Sequence, residues 1–207
     1  LAARLEIPAP RVVIKHRRRQ RGPAQYQRLG ATAPSFSVAE RDLRFEVNLS
    51  AYLDTGLFPD HRLTRKLISR LAPGKSFLNL FAYTGAATVY AAAGGARTTT
   101  TVDLSNTYLA WARDNMELNG LTGKQHEFIR ADCIKWLDDA KEKDRRYQLV
   151  FMDPPTFSNS KRMDHTLDIK RDHVELIRRA MSLLDENGLM IFSCNAQGFK
   201  LNEALLD

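Results

Sequence analysis

From Lys75 onward, short apolar segments alternate with segments of helical periodicity, and this alternation constrains the fold more than any other feature of the chain. The apolar segments have the length of β-strands and cover residues 76–81, 98–102, 127–131, 147–152 and 189–193. Such an alternation predicts an α/β domain with a doubly wound parallel sheet. Because right-handed crossovers bring the carboxyl ends of parallel strands to one edge, we expect the residues that follow these strands to form a ligand site.

A different pattern precedes this domain. Residues 43–49 alternate like a strand, Thr55-Gly56 and Pro59 are typical of turns, and residues 63–71 have helical spacing. We therefore expect a basic arm or linker over residues 1–34, a hairpin–loop–helix element over 35–74, and the main domain over 75–207. The chain stops at Asp207 within an amphipathic pattern, so we interpret it as part of a longer protein.

The positive charge is concentrated near the start of the chain. Residues 1–30 hold eight basic residues and one acidic residue, so they carry the whole net charge of +7. A basic segment beside a neutral domain favours nucleic acid as a partner over an anionic membrane, and a cluster of arginines favours contact with RNA phosphates over the alternative of a solvated linker. The candidate RNA-binding residues of this arm are Arg17, Arg18, Arg19 and Arg21.

The two cysteines, Cys133 and Cys194, cannot build a disulfide framework, and neither they nor the five histidines have metal-ligand spacing. The uncharged stretch over residues 76–96 contains polar residues and glycines, which favours a buried strand, turn and helix over a membrane span. We therefore expect a cytoplasmic protein without a metal site.

The strand ends indicate the kind of ligand. The turn over residues 79–85 has Gly85 alone, where binding of a dinucleotide pyrophosphate would require several glycines. Asp103 follows the second strand and can accept hydrogen bonds from a ribose diol, while Asp132 follows the third and can meet an adenine edge. Each acid alone is more often a cap. Together they indicate a nucleoside cofactor without phosphates, namely S-adenosylmethionine.

The fourth strand ends in Asp153-Pro154-Pro155-Thr156-Phe157. Two prolines fix the backbone and leave carbonyls at the sheet edge, where they can accept hydrogen bonds from the amino group of a base. Phe157 offers a stacking surface for that base. The alternative is a rigid turn with a capping aspartate.

These motifs, together with residues 17–22, 25–29, 52–62 and 153–163, resemble the class I methyltransferases of ribosomal RNA. The likeness is most specific to the C-terminal N7-guanine module of the bacterial bifunctional 23S rRNA guanine (N2/N7) methyltransferases. It implies a Rossmann-like class I domain that methylates N7 of a 23S guanosine. It further implies as partners 23S rRNA and an N-terminal half with an RNA-binding module and an N2-guanine methyltransferase.

The resemblance also assigns roles to residues. The cofactor contacts that it implies are Phe58, Asp60, Arg62, Asn79, Phe81, Tyr83, Thr84, Gly85, Asp103, Leu104, Asp132, Cys133 and Asp153. The residues expected to face the target base are Asp153, Pro154, Pro155 and Phe157, and Lys161 and Arg162 join the RNA-binding candidates.

Two departures from the family pattern leave alternatives open. The sheet should continue with two further strands, which residues 1–207 do not supply. Cys194 ends the fifth strand, where related 5-methylcytosine rRNA methyltransferases carry a cysteine nucleophile. Guanine N7 has an exposed lone pair and requires positioning only, whereas cytosine C5 would require a thiolate from Cys194 or Cys133. A third possibility is an inactive RNA-binding module.

Overall fold

The structure is a computed structural model that describes residues 4, 6, 8, 12–14, 35–52, 54–158 and 166–206. Its strands are β1 Phe36–Glu40, β2 Leu43–Val47, β3 Ser76–Leu80, β4 Thr98–Asp103, β5 His126–Arg130, β6 Tyr147–Met152, β7 Phe157–Ser158, β8 Leu167–Asp168 and β9 Leu184–Phe192. Its helices are α1 Arg62–Leu71, α2 Ala86–Ala93, α3 Asn106–Leu118, α4 Cys133–Glu142 and α5 Ile169–Met181. Short 3-10 turns cover Pro59–His61 and Glu203–Leu205.

The predicted doubly wound sheet is confirmed. Its strands are parallel in the order β5-β4-β3-β6-β9. The chain moves outward from β3 to β5 and then returns to the other side of β3 at β6. The strand order therefore reverses between β3 and β6, which is the position where open α/β sheets form a ligand crevice.

Apolar side chains of the central strands alternate between the two faces of the sheet. Leu149 and Phe151 of β6 pack with α1 and α2, whereas Val150 and Met152 pack with α4 and α5. Both faces of the sheet are thus covered by helices, which explains why its strands read as almost continuous apolar runs. No helix in the described ranges is long and apolar enough to span a membrane.

The β1–β2 hairpin is held by side chains of α3. Asn119 accepts from the backbone N–H of Arg44 at 2.8 Å and donates to its carbonyl at 2.7 Å. Asn115 accepts from the N–H of Glu46 at 2.8 Å, and Trp111 Nε1 donates to the carbonyl of Glu46 at 3.1 Å. Four residues of an α-helix rise about 6 Å, and two residues of a strand rise roughly 6.8 Å. The spacing of Asn115 and Asn119 along α3 therefore matches that of Glu46 and Arg44 along β2. As a result, α3 pairs with the outer backbone N–H and C=O groups of β2, as a further strand would.

A buried ion pair joins the hairpin to α1. Arg65 donates from Nε and Nη2 to the two carboxylate oxygens of Glu40, at 2.8 and 2.7 Å, and from Nη1 to the carbonyl of Phe58 at 2.9 Å. Two parallel charge-assisted bonds fix the guanidinium plane as well as its position. This contact sets the path of the loop that connects β2 to α1.

Two glycine-containing segments of the main domain have local geometry that depends on their packing. Asn-Gly is a dipeptide typical of turns, yet Asn187-Gly188 lies inside β9, where the pairing with β6 shifts register between Tyr147 and Leu149. Helix α2 starts at Ala86 because Gly85 has a left-handed φ of 69°. A Cβ at Gly85 would lie 2.6 Å from that of Ala112, so α2 and α3 approach each other here.

The predicted domain boundaries at residues 34 and 74 stay predictions. Phe45 of β2 shares an apolar cluster with Val89 and Tyr90 of α2 and Met116 of α3. The apolar side of the hairpin is therefore buried against helices α2 and α3 of the main domain.

We expect Asn115→Ala to lower the free energy of unfolding by about 2–4 kcal/mol, since it leaves one buried and one half-buried backbone group without a partner. Asn115 is fully buried, and its Nδ2 also donates to the carbonyl of Thr84 at 2.9 Å. Asp114→Ala, an exposed change on the same helix, should alter stability by less than about 0.5 kcal/mol. Urea unfolding of both variants tests this, and equal effects would contradict the role of Asn115.

Candidate active site

A cavity of about 600 Å³ opens at the carboxyl ends of β3, β4 and β6, next to the loop that leads into α1. This volume is in the range of small-molecule sites. Most of the sequence-predicted residues line it, namely Phe58, Asn79, Phe81, Tyr83, Thr84, Asp103, Leu104, Asp132, Cys133, Asp153, Pro154 and Pro155. The strand reversal thus gathers the ends of several segments that are far apart in the chain.

The turn after β3 has a strained backbone. Phe81 and Tyr83 have φ values of 54° and 52°, in the left-handed region that non-glycine residues rarely adopt. The backbone N–H of Tyr83 donates to Asp103 Oδ2 at 2.9 Å, and that of Phe81 points to the sulfur of Cys133 at 3.3 Å. Strain of this kind persists only where surrounding contacts hold it, and it is common at ligand sites.

Asp103 combines burial with unused acceptor capacity. Its Oδ1 accepts from the N–H of Ser105 at 2.8 Å while Oδ2 accepts from the N–H of Tyr83 at 2.9 Å. A carboxylate offers about four acceptor positions, so Asp103 retains capacity for a further donor even with the N–H of Leu104 as a third backbone donor. Burial raises the pKa of Asp103 to about 6, although these backbone donors oppose the rise. A ligand that donates hydroxyl groups to this carboxylate would favour its charged form.

Asn79 carries an unmatched acceptor. Its Nδ2 donates to Thr88 Oγ1 at 3.0 Å, and Thr88 in turn bonds Thr101 at 2.9 Å. Oδ1 of Asn79 is buried and has no hydrogen-bond partner among the described residues. An unmatched buried acceptor in a cavity wall fits a ligand that brings a donor such as an ammonium group.

Asp132 and Cys133, which follow β5, have different structural roles. Asp132 caps α4, since its Oδ1 accepts from the N–H of Ile134 at 2.9 Å. Cys133 is buried, and burial raises the pKa of its thiol well above the usual value. The Cys133 thiol therefore stays protonated at neutral pH and is unsuited to nucleophilic attack.

Asp153 has a partner that the sequence did not reveal. Nε2 of His61 lies 3.2 Å from Asp153 Oδ2, within ion-pair range but without the alignment of a good hydrogen bond. The Asp153 carboxylate raises the pKa of His61 above its usual value and outweighs the opposing effect of burial. The two residues lie 92 positions apart in the chain, so no local pattern joins them.

Other lining residues were also missed by the sequence analysis. They include Arg65, which the ion pair with Glu40 holds in the wall, and Tyr108, whose ring lies 4.5 Å from that of Tyr83 between centroids. Asn195 and Phe151 complete the wall on the side of β9 and β6. A helical arginine and a helical tyrosine carry no motif that would single them out.

Some predicted residues lie elsewhere. Asp60 and Arg62 are exposed, and neither they nor Gly85 line the cavity. Phe157 is 53% exposed on β7, outside the cavity lining, and its role stays a prediction. The RNA-binding candidates lie outside the described residues, namely Arg17, Arg18, Arg19, Arg21, Lys161 and Arg162.

Cys194, the other candidate nucleophile, packs against the apolar cluster between the sheet, α4 and α5 and does not line the cavity. Within the described ranges, no cluster of three or more His, Cys, Asp or Glu side chains could hold a metal ion.

Comparison with known proteins gives a consistent result. Residues 7–205 match the family described as S-adenosylmethionine-dependent methyltransferase. The chain is 54% identical over 198 residues to the ribosomal RNA large subunit methyltransferase K/L of Vibrio campbellii, covering 96% of this chain and 28% of that protein. It is 56% identical over 198 residues to the protein of the same name from Allochromatium vinosum, covering 96% and 27%. The chain thus spans about a quarter of the length of the curated relatives it matches.

A solved structure extends the likeness to three dimensions. A methyltransferase complexed with S-adenosylhomocysteine has a TM-score of 0.77 and 34% sequence identity, over 86% of this chain and 46% of that one. Asp103 and the open acceptor of Asn79 fit such a cofactor on their own chemistry. Since the family match runs through nearly the whole chain and includes every strand end that lines the cavity, this chain belongs to the S-adenosylmethionine-dependent methyltransferases.

Proposed function

We propose that this chain methylates N7 of a guanosine in 23S ribosomal RNA. The observation that carries the proposal is the identity of 54–56% to ribosomal RNA large subunit methyltransferases K/L, over 96% of the chain. The N7 position is supported by the motif resemblance, by the burial and raised pKa of the Cys133 thiol, and by the position of Cys194 outside the cavity lining. Action on ribosomal RNA would give the protein a cytoplasmic location. Because the chain covers only 28% of a relative's length, we also propose a partner half on the N-terminal side in the full-length protein.

The cofactor site is assigned to residues that retain unused hydrogen-bonding capacity. Asp103 would accept from the ribose hydroxyls, and Asn79 Oδ1 from the ammonium of the methionine part. Leu104, Asp132 and Cys133 would border the adenine. When bound, S-adenosylmethionine supplies a methyl group on a positively charged sulfur, which is strongly electrophilic.

The Asp153 loop would hold the target base. Pro154 and Pro155 restrict the backbone, and their carbonyls accept no hydrogen bond within the described part of the chain. These groups and the Asp153 carboxylate can receive the N–H donors of guanine, while Phe157 can stack on its ring. The N7 atom is then free to face the cofactor. Because N7 carries a lone pair and no hydrogen, no proton needs to be removed. Alignment of N7 with the methyl group would therefore supply most of the acceleration.

His61 is assigned a positioning role in this scheme. Its contact with Asp153 ties the loop before α1 to the loop after β6. The edge of its ring also packs against Phe151, with 5.9 Å between centroids. His61 thereby limits the rotation of the Asp153 carboxylate that would contact the base.

The alternative of 5-methylcytosine formation is less well supported. It needs a thiolate next to the base, but the Cys133 thiol is buried with a raised pKa and Cys194 lies outside the cavity wall. An inactive RNA-binding module would not explain a cavity that keeps both acids and the Asp-Pro-Pro loop.

Methyl transfer to 23S rRNA lacking the modification should yield 7-methylguanosine on nuclease digestion and mass spectrometry. Cys194→Ala should retain at least half of the wild-type rate, since it removes only a small packing group. Formation of 5-methylcytidine, or loss of transfer in this variant, would overturn the N7 assignment in favour of covalent catalysis.

Asp103→Asn should weaken binding of S-adenosylhomocysteine roughly tenfold to hundredfold, as expected for lost hydrogen bonds to a charged group. The wild-type affinity should fall as the pH drops below about 6, where the free carboxylate becomes protonated. The variant should lack this component. Titration calorimetry from pH 5 to 8 tests both points, with Asp114→Asn on the exposed face of α3 as the control. An unchanged affinity in Asp103→Asn would contradict the assignment.

His61→Gln should reduce the free energy of unfolding by about 1 kcal/mol below pH 6.5, as for a modest ion pair. Because the folded pKa of His61 is raised, this contribution is complete below pH 6.5 and disappears as the pH rises through the folded pKa. His126→Gln should show the opposite trend, since burial lowers the pKa of His126 and penalises the wild type at low pH. Urea unfolding across pH 5–8 measures both, and a pH-independent gap for His61→Gln would disprove the ion pair.

A further inference from the structure

The outer face of α1 carries a row of cations. Arg62, Lys66 and Arg70 follow one another at intervals of four residues, and all three are exposed. Their side chains make no ion pair or hydrogen bond within the described residues. Leu63 and Leu67 lie beside them, 69% and 45% exposed. We call Arg62, Lys66 and Arg70 the α1 stripe.

The elements that the structure describes around α1 do not use these charges. Helix α1 contains no acidic residue, and α2, against which it packs, contains no charged residue at all. Asp60 lies just before α1 but forms no ion pair among the described residues. Arg62 occupies the first position of the helix, where a cation is unfavourable with respect to the helix dipole. Since these cations have no partner in the described part of the chain, they are available for an external anion.

The stripe also starts at the rim of the cavity. His61 and Arg65 line the cavity wall, and they are the immediate neighbours of Arg62 and Lys66 in the chain. From there the stripe follows α1 away from the cavity, with a rise of about 6 Å between successive cations. If one monomer of an anionic polymer lay in the cavity, the neighbouring monomers would lie along this face of α1.

We propose that the α1 stripe binds the phosphate backbone of the substrate RNA beside the target nucleotide. This inference rests on the proposed function, because it requires RNA as the substrate. Lysine and arginine contacts to phosphate fix the register of a nucleic acid without reading its sequence. The stripe would thus orient the strand, whereas the Asp153 loop contacts the base.

A protein partner is the competing occupant, since Leu63 and Leu67 are exposed on the same face. A docking helix or strand would be expected to bury these leucines and to bring acids to the stripe. The lack of any acid in α1 and the start of the stripe at the cavity rim favour RNA.

The test is the salt dependence of binding to protein-free 23S rRNA, by filter binding between 50 and 300 mM KCl. Lys66→Gln/Arg70→Gln removes two cations and leaves the cavity wall intact. Because each phosphate contact contributes roughly 0.7 to 0.9 to the slope of log K against log salt, the slope should become shallower by about 1.4–1.8. Glutamine preserves helix propensity, and thermal unfolding verifies that the variant is folded.

The matched control is Lys141→Gln/Lys143→Gln, which removes two exposed cations at the end of α4, on the opposite face of the sheet. It should leave the slope unchanged. If the slope for Lys66→Gln/Arg70→Gln equals that of the unchanged chain, the proposed RNA contact of the α1 stripe is wrong, whereas the proposed function is unaffected. Absence of RNA binding by the unchanged chain at any salt would overturn both. Loss of RNA binding in Leu63→Ser/Leu67→Ser but not in Lys66→Gln/Arg70→Gln would also contradict RNA binding by the α1 stripe.

Discussion

The arrangement of the site depends on the hydrogen bonds that Asn115 makes from the middle of α3. Its side chain bonds the backbone of Glu46 in the hairpin and the backbone of Thr84 in the turn after β3. One buried amide thus ties the element before the sheet to the loop that lines the cavity. Because an unpaired backbone group in this position would be costly, the two parts keep their relative position.

The loop around Gly56, which borders the cavity, is held to the same turn by further hydrogen bonds. Gly56 donates its N–H to the hydroxyl of Tyr83 at 2.9 Å, and its carbonyl accepts from Thr84 Oγ1 at 2.6 Å. A Cβ at Gly56 would lie 2.3 Å from the Trp111 ring, and its φ of 100° also favours glycine. The loop over the cavity therefore lies directly against α3 and the turn after β3. The wall below it keeps Asp103 and Asn79 in fixed positions with free acceptors, so a cofactor meets a preorganised site.

The sequence predicted the sheet and much of its ligand edge because these features are local. Alternation of apolar residues marks each strand, and an acid directly after a strand lies at the carboxyl edge in any parallel sheet. Asp103 and Asp132 could be found in this way, and the cap of α3 is likewise local, since Ser105 directly precedes that helix and accepts from the N–H of Tyr108. The Asn187-Gly188 dipeptide is typical of a turn but lies inside β9, because an edge strand can absorb a local irregularity in its pairing. His61 and Arg65 could not be found, since their partners Asp153 and Glu40 are distant in the chain.

The fold class, the kind of cofactor and the loop that follows β6 could all be inferred from the amino-acid sequence. This was possible because strand periodicity and the residues at strand ends depend on neighbours along the chain. Tertiary structure alone decided that α3 replaces a strand beside β2, that His61 meets Asp153, and that Cys133 is buried while Cys194 packs outside the cavity. It also decided that Arg65 faces the cavity wall while Arg62, Lys66 and Arg70 face outward. These outcomes depend on the packing of distant elements, which fixes burial, and burial in turn sets which charges are paired and which remain free.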